Sequence, residues 1–333
     1  MDAIIRSFSV SIIIWVVALI AIFVWGGWTA LFIAILLTIL EVTLSFDNAV
    51  VNAKVLKRMN TKWQNYFLTW GILIAVFGTR FLLPILIVAI SVSMSPFAVG
   101  ALVLNDPEAY GHLLEGARVA ISSFGGIFLL MVSLKYFFDE GKDVHWIHFI
   151  ERRVARWGRI EALEIGIALA VLAVIALVLP ESAATVLFAG TIGILLFIGI
   201  QAIANAFSVE ANAASMASGS LALFLYLEIL DAAFSLDGVI GAFAITNQLP
   251  VIVVGLGVGA YFVRSLTIYM VRQKTLDALA YLEHGAHWAI LGLAAAMLAS
   301  VFTHVPEVIT GLVGLAFVGA SYWSSLQERS KKA

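Results

Sequence analysis

The sequence predicts an all-α membrane protein of about ten transmembrane helices, built from two inverted-topology repeats. Of its 333 residues, 62% are hydrophobic and 12% are charged, whereas a soluble domain carries about twice that charged fraction. Apolar runs of roughly 20 residues, each long enough to cross a bilayer as a helix, follow one another with short connectors. They lack the period-two alternation of a transmembrane barrel. An acidic motif in the first half recurs in the second.

The ten predicted spans lie near residues 9–25, 28–52, 65–91, 117–136, 162–179, 185–207, 219–246, 251–272, 286–303 and 306–325. Lys and Arg gather on the cytoplasmic side of membrane proteins, which checks the number of spans. With ten spans, sixteen of the nineteen basic residues fall on the side of the N-terminus. Arg118 lies on the opposite side, and Arg80 and Arg264 lie within spans. Both termini are therefore expected in the cytoplasm.

The recurring motif consists of an acid, a serine four residues later and an aspartate two residues beyond the serine. These positions are Glu41, Ser45 and Asp47 in the first copy and Asp231, Ser235 and Asp237 in the second. An ionised carboxylate inside a bilayer costs at least ~2.5 to 3.5 kcal/mol. Four such acids need a cation, exchangeable protons, or pairing with the intramembrane arginines.

The repeat extends beyond the motif. A glycine is followed nine residues later by an arginine in both halves, as Gly71 with Arg80 and as Gly255 with Arg264. The repeat unit with its flanking helices contains five spans, an odd number, so the two copies run through the membrane in opposite directions. This arrangement is typical of secondary transporters, whose substrate site lies near the midplane.

The sequence thus divides into two halves and a linker. The first half is 1–138, with its repeat core at 28–138, and the second is 162–333, with its core at 219–303. Residues 139–161 form a polar, cytoplasmic amphipathic linker. We expect its aromatic residues at the membrane interface and its arginines at lipid headgroups.

The motif also makes a geometric prediction. On an unbroken helix Glu41, Ser45 and Asn48 share one face, but Asp47 lies about 120° away from Glu41. Both acids of a copy can face one site only if the helix is interrupted. We therefore predict a kink or break near Ser45 and another in the second copy, near Gly238. In the competing geometry the helices stay straight, one acid lines the site and the other pairs with an arginine.

Charge favours a divalent cation as the ligand of this site. The four motif acids carry four negative charges, and the two arginines leave two of them to be balanced. Oxygen ligands without thiolate or imidazole suit Mn²⁺, Mg²⁺ or Ca²⁺, and like charges in the ion-free state favour protons as the alternative occupant. The predicted metal ligands are Glu41, Ser45, Asp47, Asn48, Asp231, Ser235 and Asp237, with Arg80 and Arg264 compensating their charge. The alternative is a buried salt-bridge cluster that fixes helix register.

The paired acidic motifs, the glycine-to-arginine helices and the closing helix from Gly311 to Leu326 resemble the TerC family of integral membrane proteins, within the LysE-type transporter superfamily. The resemblance implies a metal-ion exporter of the bacterial inner membrane, with manganese as the substrate linked to several members. Gly238 departs from the family, in which a small hydroxyl residue is common there. Asn205, Glu210 and Asn212 add further polarity around the end of the sixth span. The choice among Mn²⁺, Ca²⁺ and Mg²⁺ therefore stays open.

The sequence also bears on classes of function other than transport. No H-E-x-x-H or G-x-S-x-G motif occurs in a span, so we expect no enzyme and no cofactor. The buried counter-charges disfavour a channel. A non-transporting scaffold, or an accessory subunit in a metal or tellurium stress response, remains the alternative. It would leave the acids paired and dry, whereas a transporter exposes them to a cavity. The expected partners are the metal ion, protons, the lipid bilayer and, in a homo-oligomer, further copies of the chain, with no nucleic acid.

Overall fold

A computed structural model describes residues 2–160, 162–208, 213–273, 275–303 and 305–332. It is 88% helical, and the described part contains no strand. The all-α prediction is confirmed. Glu210 and Asn212 lie outside the described residues.

The helices of the first half are α1 (Asp2–Leu44), α2 (Phe46–Leu56), α3 (Thr61–Leu73), a π-helical segment (Ile74–Leu82), α4 (Leu83–Ser91), α5 (Pro96–Asn105), α6 (Pro107–Gly116) and α7 (Arg118–Phe137). The linker contains α8 (His148–Ala155) and a 3₁₀ turn (Arg156–Arg159). The second half contains α9 (Leu163–Val178), a 3₁₀ turn (Pro180–Ser182), α10 (Ala183–Ser208), α11 (Ala213–Ile245), α12 (Leu249–Arg272), α13 (Thr275–Ala278), α14 (Leu282–Ala299) and α15 (Glu307–Lys332).

The protein is a multi-pass integral membrane protein. Within the described residues, six helical stretches are long and apolar enough to cross a membrane, or seven if the bent pair His148–Arg159 and Leu163–Val178 is one span. Ten separate spans are not shown, although most residues of the ten predicted spans lie in helices. The first two share α1, which bends sharply at Gly27 (φ 68°, ψ −159°). Only glycine adopts this backbone conformation without strain.

The predicted helix breaks are found in one copy of the motif only. In the first copy α1 ends at Leu44 and α2 begins at Phe46, with Ser45 between them (φ −98°, ψ 13°). The prediction for the second copy was wrong, because α11 runs without interruption through Gly238.

The two serine hydroxyls have different hydrogen-bond acceptors. The Ser235 hydroxyl donates to the main-chain carbonyl of Asp231, one turn back, at 2.7 Å, a bond that is compatible with a continuous helix. The Ser45 hydroxyl instead donates to the side chain of Glu41 at 3.0 Å. Tertiary packing along α11 outweighs the weak helix propensity of Gly238.

Helices of the two halves pack against each other in a crossed pattern. Both α1 and α2 pack against α12, the π-helical segment packs against α11, and α7 packs against α14. Helix–helix contacts between the halves therefore surround the two copies of the motif.

Two large apolar cores stack on one another within this bundle. The first contains residues 49–53 of α2, 230–234 of α11 and buried positions of α7, α10 and α14. The second contains buried positions of α1, α4, α5 and α6 with residues 236–243 of α11 and 251–256 of α12. Each of α11 and α12 passes from one core to the other, and the charged residues described next lie at or near that boundary.

Candidate functional site

Six charged side chains are buried at or near the boundary between the two cores. They are between 2% and 5% exposed: Glu41, Asp47, Arg80, Glu228, Asp231 and Arg264. Removing a charge from water costs several kcal/mol unless partners replace the lost hydration. The contacts among these residues show how that cost is offset.

The first group joins Glu41 to Arg80. The Arg80 Nη2 donates to Glu41 Oε1, which also accepts the Ser45 hydroxyl at 3.0 Å. Arg80 lies in the π-helical segment, and its Nη1 donates to the carbonyl of Ala75, five residues back, at 2.8 Å. Short π-helical segments are frequent at functional sites, and here the segment carries the guanidinium that pairs with the motif acid.

The second group joins Glu228 to Arg264. The guanidinium donates to both carboxylate oxygens of Glu228, at 3.1 and 3.0 Å, in a bidentate pair. It also donates to the carbonyl of Phe67 at 2.9 Å and lies 4.1 Å from the centre of that ring. A Cβ at Gly71 would overlap the Arg264 guanidinium, so this glycine makes room for the pair. A planar fork with two parallel hydrogen bonds is the strongest form of such an interaction.

Asp231 connects the two groups. Its Oδ1 accepts the side-chain amide of Asn48 at 2.8 Å, which joins the first copy of the motif to the second. Its Oδ2 lies 3.5 Å from Arg264 Nη2 and 3.8 Å from Arg80 Nη1. Within the described residues this oxygen is buried and has no hydrogen-bond partner, so it is held by charge alone.

Two glycines bring the halves close at Glu41. A Cβ at Gly238 would lie 3.3 Å from Glu41 Oε2, and a Cβ at Gly259 would lie 2.6 Å from both Cβ and Cγ of Glu41. A side chain at position 238 would therefore touch this carboxylate. The two motif copies are in direct contact here and through Asn48 and Asp231.

Two of the predicted ligands, Asp47 and Ser235, make hydrogen bonds within their own helices. The Asp47 carboxylate is buried and accepts the main-chain N–H of Asn48 at 2.9 Å. The Ser235 hydroxyl is used within α11, and Asp237 is partly buried on the same helix. Among the described residues, no three carboxylate or imidazole groups are arranged to hold a metal ion. The structure thus brings together Glu41, Ser45, Asn48 and Asp231, and it pairs them with arginine.

Glu228 is a charged residue of this cluster that the sequence reasoning missed. It lies three residues before Asp231 in a predicted span, and this intramembrane acid was a signal that could have found it. The equivalent position of the first copy is Thr38, also buried, whose hydroxyl lies 3.2 Å from the carbonyl of Gly255. Glu228 adds one more acid to those of the motif. The excess of acids over arginines near the boundary is therefore larger than the motif alone indicated.

Two cavities lie on either side of the buried charges along α11. The linker cavity, of about 930 Å³, is lined by Leu223 and Tyr226 of α11, by residues of α2, α7 and α10, and by both ends of the linker. The α6 cavity, of about 440 Å³, is lined by Ile240 and Phe243 of α11 and by Glu108, His112 and Glu115 of α6. At ~1.5 Å per helical residue, Tyr226 and Ile240 are about 20 Å apart, and the acids of α11 lie between them.

Comparison with known proteins identifies the family of this chain. A family described as "Protein of unknown function (DUF475)" matches residues 46–332. The chain belongs to the DUF475 family. This DUF475 match begins one residue after the break at Ser45, so it includes Arg80, Glu228, Asp231 and Arg264 but not Glu41. No curated protein and no solved structure gives a significant match to the sequence.

Proposed function

We propose that this protein is a membrane transporter that exports a divalent metal cation, with Mn²⁺ as the first candidate, in exchange for protons. The observation that carries the proposal is the buried cluster itself. Carboxylates from both halves meet between two cavities, and the acids outnumber the arginines that pair with them. Excess negative charge at such a depth needs a mobile positive partner.

The position of the cluster favours access from two sides. On α2, Val51 lines the linker cavity one turn beyond Asp47. On α11, Ile240 lines the α6 cavity three residues beyond Asp237. Neither Asp47 nor Asp237 lines these two cavities itself, but each is within about one helical turn of a residue that lines one of them, and the two cavities differ. This supports alternating access, in which one buried site opens first to one side and then to the other.

The helix packing supports two inverted repeats. In the two repeats α2 corresponds to α11, the π-helical segment corresponds to α12, and α7 corresponds to α14. If the halves are related by a two-fold axis, the contact of α2 with α12 must be matched by a contact of α11 with the π-helical segment, and α7 must contact α14. All three contacts are present. Ten spans, cytoplasmic termini and a bacterial inner membrane belong to the same proposal.

The donor atoms suit a hard cation. Besides Asp231 Oδ2, the side-chain oxygens of Asn48 and Asn52 are buried without a hydrogen-bond partner in the described part of the chain. Carboxylate and amide oxygens are ligands for Mn²⁺, Mg²⁺ and Ca²⁺, and the chain has no cysteine to favour a softer metal. The resemblance to the TerC family gives Mn²⁺ priority. An arriving cation would compete with Arg80 and Arg264 for Asp231, which we rank first among the ligands.

A second candidate is a non-transporting membrane scaffold or metal-handling accessory subunit. The observation that favours it is the pairing of the acids, since Glu41 and Glu228 are both buried and bound to arginine. A salt-bridge cluster that only fixes helix register has this appearance. The two candidates differ in whether the arginines release the carboxylates.

Transport by the purified protein in liposomes separates the two candidates. We expect a proton gradient to drive Mn²⁺ accumulation, read by a trapped metal-sensitive dye, and expect Asp47→Asn, Asp231→Asn and Asp237→Asn to abolish it. Asp143→Asn is the matched control, because Asp143 is exposed on the linker. Thermal shifts with Mn²⁺, Ca²⁺, Mg²⁺ and Zn²⁺ measure binding directly, since a ligand at 100 times its Kd adds about 2.7 kcal/mol of stability. No accumulation and no thermal shift with the wild-type protein would refute transport and leave the scaffold.

A further inference from the structure

The two ends of the linker between the halves form part of the wall of the linker cavity. Residues 139–141 and 158–160 both line this cavity, one stretch from each end of the linker. The two ends also touch each other: a Cβ at Gly158 would overlap the carbonyl oxygen of Phe138, and Arg159 Nε donates to Glu140 Oε1 at 3.2 Å. The linker is therefore a closed loop whose two joined ends form one side of the cavity.

A single buried carboxylate fastens the middle of this loop to α14. Glu151 is 3% exposed, and within its own segment it accepts the main-chain N–H groups of Trp146 at 3.0 Å and Ile147 at 3.3 Å. From α14 it accepts Trp288 Nε1 at 2.8 Å and pairs with His284 Nδ1 at 2.7 Å. Two of its four partners thus come from the linker and two from the transmembrane bundle.

The charge on Glu151 is stable. Burial opposes its ionisation, but the hydrogen bonds from His284, Trp288 and the linker main chain outweigh burial and lower the pKa of Glu151 to about 2. The carboxylate is therefore ionised throughout the physiological range. Hydrogen bonds to a charged group are roughly twice as strong as neutral ones, so this attachment is much stronger than an ordinary surface contact.

The other end of the loop has a strained residue. Ala162, which also lines the cavity, adopts the left-handed conformation (φ 58°, ψ 23°) just before α9. The chain bends by 105° between the helical residues His148–Arg159 and α9. A left-handed alanine costs roughly 1 to 2 kcal/mol, so the packing of the closed loop maintains this strain.

We propose that residues 139–160 are a hinged lid on the linker cavity, with Glu151 as the latch and Ala162 as the hinge. Glu151 is a positioning residue, since it holds the lid against His284 and Trp288 of α14. Release of the latch frees the middle of the lid, and the two ends that line the cavity then move with it. This movement opens the cavity, which ends one turn from Asp47 on α2. The proposal stands whether or not the protein transports an ion.

Single-cysteine labelling tests the lid directly, because the chain has no native cysteine. Val55→Cys places a thiol in the wall of the cavity, and Lys62→Cys places one on exposed α3, outside the cavity. The rate of maleimide labelling is measured for the full chain in nanodiscs, where both faces are accessible. We expect Glu151→Gln to accelerate labelling at position 55 by about tenfold, the effect of losing one or more charge-assisted hydrogen bonds, and to leave position 62 unchanged.

Two further variants guard against simple misfolding. Trp288→Phe removes one donor to the latch while keeping an aromatic ring, and a smaller acceleration at position 55 is expected. Glu115→Gln removes the partner of Arg118 on α6, far from the lid in sequence, and is the matched control that should change nothing. Hydrogen exchange of residues 144–160 should rise in the two latch variants only. Unchanged labelling at position 55, or equal acceleration at positions 55 and 62, would overturn the lid.

Discussion

The bidentate pair of Glu228 and Arg264 gives the sharpest test of how the buried charges stabilise the fold. Arg264→Gln removes the bonds at 3.0 and 3.1 Å to Glu228 and the bond to Phe67, and it leaves two carboxylates, those of Glu228 and Asp231, without this counter-charge. Breaking a buried pair from one side costs about 3 to 5 kcal/mol, because an uncompensated charge stays behind. We expect a loss of that size.

The double variant distinguishes charge pairing from general packing. In Glu228→Gln with Arg264→Gln no charge is left from this pair, so the stability loss should be smaller than for Arg264→Gln alone. The assay is the apparent melting temperature from tryptophan fluorescence, with nine tryptophans in the chain. At about 2 to 4 °C per kcal/mol for domains of 150 to 250 residues, the single variant should melt roughly 6 to 20 °C lower.

A surface pair is the control for this cycle. Glu115 and Arg118 lie 3.1 Å apart on α6 and the start of α7, and the glutamate side chain is 56% exposed. Ion pairs with an exposed member contribute about 0 to 1 kcal/mol, so removal of the exposed glutamate in Glu115→Gln should change the melting temperature little. Strictly additive losses for Glu228→Gln and Arg264→Gln would refute the reasoning, because they would show that the two side chains do not interact.

Three further predictions concern other residues. Gly259→Ala would place a methyl group 2.6 Å from Glu41 and should lower the melting temperature, whereas Gly319→Ala meets open space and should leave it unchanged or raise it. The pKa of Glu151 is about 2 in the folded protein, compared with 4.5 for an unperturbed glutamate, so ionised Glu151 contributes roughly 3 kcal/mol to the free energy of unfolding. This contribution is present above pH 4.5 and is lost as the pH falls from there toward 2. The melting temperature of Glu151→Gln should lack this part of the acid dependence. Burial lowers the pKa of Lys142 to about 8, so its amine should react with an N-hydroxysuccinimide ester at pH 8 faster than the exposed lysines do; equal rates by mass spectrometry would contradict this.

The sequence alone determines that this is a membrane protein and that charged residues lie within its membrane helices. Long apolar runs must be membrane helices, and acids within them must find partners, whatever the fold around them. The break at Ser45 was also predictable, because residues that compete for main-chain hydrogen bonds weaken a helix. Equivalent residues did not break the second copy, since local propensity is a weak influence once a helix is packed on several sides.

The partners of the charges depended on tertiary structure. Sequence placed Glu41 and Asp231 in equivalent positions and named both arginines, but it gave no means to pair Glu41 with Arg80, or Arg264 with Glu228. These pairs depend on a π-helical segment and on the close approach that Gly71 and Gly259 permit, and neither has a reliable local signature.

The linker also has one property that the sequence determines and another that only the tertiary structure determines. Its polar composition alone marked it as a boundary between two apolar halves. That Glu151 turns inward, toward two side chains of α14 more than 130 residues away, was decided by packing in three dimensions. Hydrophobic patterning acts along the chain and can be read from it, whereas a buried hydrogen bond needs two groups within about 3 Å, a distance that only the folded chain defines.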